Sequence, residues 1–326
     1  MKVSEEYKKL YHYTTWDGLV GILKNQSLWA THHRFLNDYS ETLLLKDKLI
    51  ELARPIVHQE FQKIIDGHPD RQQIMKNIDI NGGFEALVDR DSNVWVNGMY
   101  ESLPHAGLYI TSFCRESNEY INANGMLSQW RGYGQDGGFA LVFDTLSLEC
   151  MLVEEDERFN YHFWQLADVV YSDDEERFKC EFTSLDHLRE FTRAMIKSIP
   201  TRVLDSNTQN DTKPLAAFLS CISRYKHRGF KEEHEVRICA YPAVHDEIFH
   251  RPDKDQPKPE KERKLRKKNG EYVPYIELFD SLDQDLPIEQ IIVGPHQNKE
   301  ARVSALKVML RGTNIEVSAS DIPFIG

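Results

Sequence analysis

The chain has 326 residues, 40% hydrophobic and 28% charged, with a formal net charge of -12. That length suits one large domain with insertions, the composition is that of a globular protein, and the acidic balance argues against wrapping duplex DNA with the whole surface. No apolar run approaches the roughly 20 residues of a membrane helix, and Met1–Glu6 carries no apolar signal core, so a cytoplasmic protein of bacterial type is expected. The cysteines at 114, 150, 180, 221 and 239 are scattered and form no C-x-x-C pair. Neither a disulfide framework nor a zinc ribbon follows from them, and His32-His33 has no partners at ligand spacing, so no metal is expected.

The first predicted strand runs through Leu10-Tyr11-His12-Tyr13, and a helix starts at once. Thr14 is the expected N-cap, Asp17 stands three residues on, and Leu19, Val20, Ile22 and Leu23 repeat at helical spacing. A side chain at a strand end beside a helix N-terminus sits where anions and nucleotides are often bound. A histidine there can equally be a core residue satisfied by one backbone bond. Ser27–Thr31 reads as a short strand, Arg34–Asp38 as a turn, and Asp38 or Ser40 as the cap of a helix through about Ala53. The rest of 40–106 reads as a helical insertion broken at Gly67-His68-Pro69 and Asn81-Gly82-Gly83.

Gly107–Cys114 is a strand rich in aromatic and β-branched residues. Met126–Trp130 reads as a short helix, Gly132–Gly138 as a glycine-rich turn, and Phe139–Asp144 and Asp168–Tyr171 as strands. A second helical insertion spans 175–231. Glu233–Tyr241 alternates charged and apolar residues as a half-exposed strand does. Residues 254–268 are basic, proline-containing and poor in apolar residues, which reads either as part of a mobile loop over 250–270 or as a local electrostatic contact for an RNA or a partner protein. Tyr272–Leu278 and Ile288–Gly294 are strands, a helix spans about Asn298 to Arg311, and Ile315–Ser320 closes the chain as a strand. Strands and helices do not alternate strictly, so the fold class is α+β in a single domain, 1–326.

Gly132-Tyr133-Gly134-Gln135-Asp136-Gly137 fits G-x-G-x-x-G but follows a helix and leads into a strand. That is the wrong context for a dinucleotide fingerprint, and the glycines read as a tight turn or as letting the backbone approach a ligand closely. Phosphate-loop, nucleophile-elbow and zincin motifs are absent from the sequence. On a strand, Glu233 and Glu235 would share one face with Arg237, which could hold one of them ionised. That cluster is either a solvated strand face or a catalytic glutamate with a partner two residues earlier.

Several segments in order resemble one bacterial family, domain of unknown function 2971: Tyr11–Thr14, Arg34–Glu41, Thr111–Cys114, Ser128–Gly134, Gly137–Asp144, Lys231–Ile238, Ile291–Pro295 and Ser320–Pro323. The pattern more distantly resembles the ADP-ribosyltransferase fold, a split mixed β-sandwich that clamps NAD. That resemblance implies roles for particular residues. His12, with Tyr13 and Thr14 around it, would hold the adenosine ribose of NAD, and Thr111-Ser112 would lie under the nicotinamide ribose. Trp130 or Tyr133 would stack on nicotinamide. Glu235, with Glu233 as its partner, would orient the nucleophile, and no metal would be needed. Thr-Ser-Phe on the central strand and His as the early anchor depart from the arginine-dependent branch of that fold, which leaves the target open.

The leading expectation is therefore an NAD-dependent ADP-ribosyltransferase acting on an unknown protein, nucleic acid or small molecule, in a setting such as bacterial defence or a toxin-like system. Glu235→Ala is expected to abolish turnover with the fold intact. The alternatives are a non-catalytic nucleotide- or partner-binding module, and a metal-dependent nuclease or hydrolase using His12 with Glu233 and Glu235.

Overall fold

In the computed structural model, residues 2–36, 39–101, 107–134, 137–181, 213–243, 258–268 and 270–323 are described. A one-turn helix α1 (Val3–Glu6) leads into β1 (Lys9–Thr14), α2 (Trp16–Asn25) and β2 (Leu28–His32). Then come α3 (Tyr39–Asp66), α4 (Arg71–Ile80), α5 (Phe84–Glu101), β3 (Tyr109–Arg115), α6 (Glu119–Asn124), α7 (Leu127–Tyr133), β4 (Phe139–Asp144) and α8 (Thr145–Arg158). The chain continues through β5 (Tyr161–Asp168), β6 (Val170–Tyr171), α9 (Glu175–Glu181), α10 (Lys213–Arg224), β7 (Tyr225–Lys226) and β8 (Glu235–Pro242). It ends with β9 (Lys264–Lys268), β10 (Glu271–Leu278), β11 (Ile288–Val293), α11 (Lys299–Met309) and β12 (Glu316–Ala319).

The architecture is α+β around one mostly antiparallel ten-stranded sheet. From one edge its order is β12-β11-β4-β1-β3, and there it branches, to β2-β10-β9 on one side and to β8-β5 on the other. The branch is forced by edge sharing. β8 occupies one edge of β3 from Tyr109 to Cys114, so β1 and β2 must divide the other. β1 takes only Cys114 and Arg115, and β2 takes only Tyr109 and Ile110. Between them Thr111, Ser112 and Phe113 have no ladder partner on that edge, and the sheet splits.

The larger apolar cluster, with Leu10, Leu19, Leu28, Phe113, Phe143 and Ile238, lies on one sheet face. On the other face α3, α5 and α10 cover Ile110, Cys239 and Tyr241, while α6 and α7 cover Tyr11, Tyr13 and Cys114.

Several elements differ from their expected form. Thr15, one residue later than expected, caps α2 by accepting from Gly18 N at 3.3 Å. α3 runs on through Pro55, because Val57, Phe61 and Ile65 beyond it are buried and offset the lost backbone bond. α8 has no counterpart among the predicted elements, since its buried Leu148, Met151 and Leu152 are diluted by acidic residues. Asp168 ends β5, and the next strand is only Val170–Tyr171.

The basic segment is corrected where it is described. Lys264–Lys268 form an edge strand, in which Lys264 pairs with Glu277 at 2.7 Å and Arg266 lies on Trp29. Cross-strand partners make a lysine-rich sequence compatible with an edge, where charge also blocks further pairing. Residues 250–257 lie outside the described residues.

Gly107 adopts φ +76, and a Cβ there would meet His32 Nε2 at 2.0 Å. Gly107→Ala is expected to destabilise the fold by about 2–4 kcal/mol, read as a lowered urea midpoint. The His32 and His33 rings stack at 4.7 Å, and burial first, then neighbouring charge, pushes each down to about 4 from 6.5. Both are thus neutral in the fold at pH values where the unfolded chain is protonated. Their stabilising contribution is complete above pH 6.5 and is lost as pH falls towards about 4. Urea midpoints measured across that window should fall, and should fall less in His32→Gln.

Candidate functional site

Of the sequence-derived residues, His12, Thr111 and Ser112 lie at the split in the sheet. Two side chains replace the missing ladder. His12 Nδ1 donates to the Ser112 carbonyl at 2.9 Å, and Thr111 Oγ1 donates to the Trp29 carbonyl at 3.0 Å. Burial pushes the His12 pKa down, so the ring is neutral at physiological pH. With Nδ1–H committed to Ser112, Nε2 presents a lone pair with no partner among the described residues. His12 is half-buried, and Ser112 is exposed in the middle of a central strand, so solvent reaches the floor of the split.

Glu235 lies one register pair beyond that floor. It is opposite Cys114, and Arg237 is opposite Ser112, so all four side chains share one sheet face. Glu235 is 6% exposed. Arg237 clasps it with Nε on Oε1 at 2.7 Å and Nη2 on Oε2 at 3.0 Å, and Lys226 Nζ reaches Oε2 at 2.9 Å. Burial pushes the Glu235 pKa up, but Arg237 and Lys226 outweigh it and hold the carboxyl at about 2. The expectation that Arg237 would hold a glutamate ionised is met by this geometry.

Glu233 reaches the same place by a different route from the expected one. It is not on the strand, for it ends a 3-10 helix (Arg228–Glu233), and His234 turns the chain at φ 46. Lys226 Nζ gathers it in at 2.7 Å while holding Glu235. Lys226 was not legible as a site residue, because it comes from β7 and only tertiary pairing brings it there.

The remaining residues divide between two faces. Tyr11 pairs with Cys114, which puts Tyr11 and Tyr13 on the Glu235 face and His12, Thr14 and Thr111 on the other. His12 and Glu235 therefore flank the split from opposite faces, with Ser112 between them. Tyr13 is buried and accepts from Met126 N at 2.8 Å, an anchoring bond rather than a ligand contact.

Trp130 is 1% exposed and packs edge-on to Tyr13, with Nε1 donating to the Asn124 carbonyl at 3.0 Å. It is core, and it explains the glycines around it. A Cβ on Gly125 would come within 2.5 Å of the indole, and one on Gly294 within 2.9 Å. Gly294 N also donates to the Gly138 carbonyl at 3.0 Å. The glycine-rich turn thus lets the backbone approach Trp130 and its own chain closely, where the sequence suggests a ligand. Tyr133, 43% exposed, is the aromatic of the pair that remains at the surface. Gln135 and Asp136 lie outside the described residues.

Glu235→Ala would leave Arg237 and Lys226 around a cavity, so it is expected to destabilise the fold as well as alter any chemistry. Among the described residues no cluster of three or more His, Cys, Asp or Glu side chains is arranged to hold a metal ion. No helix among them is long and apolar enough to cross a membrane.

A family model described as "Protein of unknown function (DUF2971)" matches residues 129–238. The matched segment contains Trp130, Tyr133, Lys226, Glu233, Glu235 and Arg237, while His12, Thr111 and Ser112 precede it. No curated protein and no solved structure matches the chain.

Proposed function

The chain belongs to the DUF2971 family through residues 129–238, and from the geometry around its split sheet we propose that it is an NAD-dependent ADP-ribosyltransferase. The observation that carries this reading is the parting of β1 and β2 along β3, with the neutral His12 fixed at its floor and Nε2 free to accept from a ligand hydroxyl. The distant resemblance of the sequence to the ADP-ribosyltransferase fold, which clamps NAD in a split sheet, supports the reading.

In this reading His12 accepts from the adenosine ribose, and Ser112 lines the floor beneath the nicotinamide ribose. Breaking the nicotinamide–C1′ bond sends the electron pair out with nicotinamide and leaves positive charge on C1′. Glu235, held ionised at about 2, supplies a fixed negative charge where that charge develops and is too acidic to be a good base. Glu233 shares the Lys226 ammonium and is less buried than Glu235. It takes the proton released as the acceptor's oxygen or nitrogen bonds to C1′.

Titration calorimetry with NAD, paired with an assay for released nicotinamide, tests this. His12→Ala is expected to weaken NAD binding by about tenfold, the value of one good hydrogen bond. Absence of NAD binding by the folded wild type would overturn the reading. A second reading has its own observation: both Glu235 oxygens are already engaged by Arg237 and Lys226, as in a permanently structural ion cluster. NAD binding without any nicotinamide release would select that non-catalytic module.

A further inference from the structure

The face of β2, β10 and β9 beside the split carries an aromatic and cationic stack that the reaction above does not use. Trp29, on β2, is 38% exposed and lies against Tyr275 with ring centroids 4.7 Å apart. The Arg266 guanidinium sits 5.0 Å from the Trp29 centroid and 5.8 Å from that of Tyr275. Nη2 donates to Thr31 Oγ1 at 2.9 Å, but Nε is buried without a hydrogen-bond partner, and no carboxylate pairs with the group among the described residues. A guanidinium stacked on indole and lacking a counter-anion is short of a negative ligand.

The surroundings supply a charge gradient. Residues 258–268 hold seven Lys or Arg against two Glu, in a chain of net charge -12. Lys268, on the same face of β9 as Arg266, is exposed and has no ion-pair partner among the described residues. Trp29 also forms one wall of the split, since its carbonyl receives Thr111.

We propose that this face binds single-stranded nucleic acid, with a base stacked at Trp29 and Arg266 and phosphates met by Arg266 and Lys268. A stacked base has to be unpaired to reach a flat sheet surface, and the acidic remainder of the chain repels a duplex. That the same strand is the ADP-ribose acceptor rests on the reaction proposed above; the binding surface does not.

Fluorescence anisotropy of labelled oligonucleotides about 20 nucleotides long, DNA and RNA, with the full chain at about 50 mM salt and no NAD, tests the proposal. Single strands should bind at least about tenfold tighter than duplex of the same sequence. Trp29→Leu and Arg266→Gln should each weaken binding by about tenfold at unchanged thermal melting. Lys268→Glu, at an exposed edge where folding is not at stake, should lower the salt slope by about 1. Binding of only DNA or only RNA supports the surface and names its ligand. Absence of single-strand binding by the folded wild type, equal binding of duplex, or wild-type affinity in both Trp29→Leu and Arg266→Gln overturns it. Nicotinamide release is measured separately, so strand binding without release sustains the surface and rejects the transferase, while release without strand binding does the reverse.

Discussion

Glu235→Gln is expected to cut nicotinamide release by about a hundred- to a thousandfold while NAD still binds. The amide keeps the shape and one acceptor oxygen but removes the charge that the proposed reaction places near C1′. Alanine is the poorer test, because Arg237 and Lys226, 4% and 2% exposed, would then surround a cavity. Breaking a buried pair in that way costs about 3–5 kcal/mol. An activity lost in Glu235→Ala would not separate chemistry from unfolding. Equal release by Glu235→Gln and wild type would remove the catalytic role.

The same carboxylate also sets an acid limit. Its folded pKa of about 2 lies below the ordinary 4.5, so its contribution to stability is present above pH 4.5 and is lost as pH falls towards 2. Acid unfolding followed by circular dichroism should shift to higher pH in Glu235→Gln, which cannot gain that contribution.

Trp130→Ala should lower stability by about 3–5 kcal/mol, one of the largest losses available to a single substitution here. The indole is enclosed by Tyr13, Gly125, Gly134 and Gly294, none of which can collapse into the space it leaves. Gly125 and Gly294 have no side chain to move, and Tyr13 is tied to Met126. Trp130→Phe should recover part of the loss, as judged by urea midpoints. If Trp130 were instead a stacking platform for nicotinamide, its replacement would raise KM for NAD and leave the urea midpoint unchanged. Its burial of all but 1% argues for the structural outcome.

Much of the secondary structure was legible because its signals are local. The continuous apolar run at Phe139–Phe143 and the helix after Thr15 depend on residues within a few positions of one another. The pairing of Glu235 with Arg237 was legible for the same reason, since residues two apart on a strand share a face. The helix α8 was not, because its apolar positions are sparse and its stability comes from what it covers, Phe143 and Tyr161 among them.

The site itself divides the same way. Sequence by itself determined that His12 ends a strand before a capped helix and that a carboxylate two residues from an arginine opens β8, because each is a matter of neighbours along the chain. Only the tertiary structure decided that Lys226 joins Glu233 to Glu235, that Trp130 is core, and that the basic residues after Lys264 form an edge strand over Trp29. It also decided that β1 and β2 share one edge of β3 and part at Ser112. These are pairings between segments far apart in sequence, whose free energy comes from burial and charge neutralisation that no local window contains.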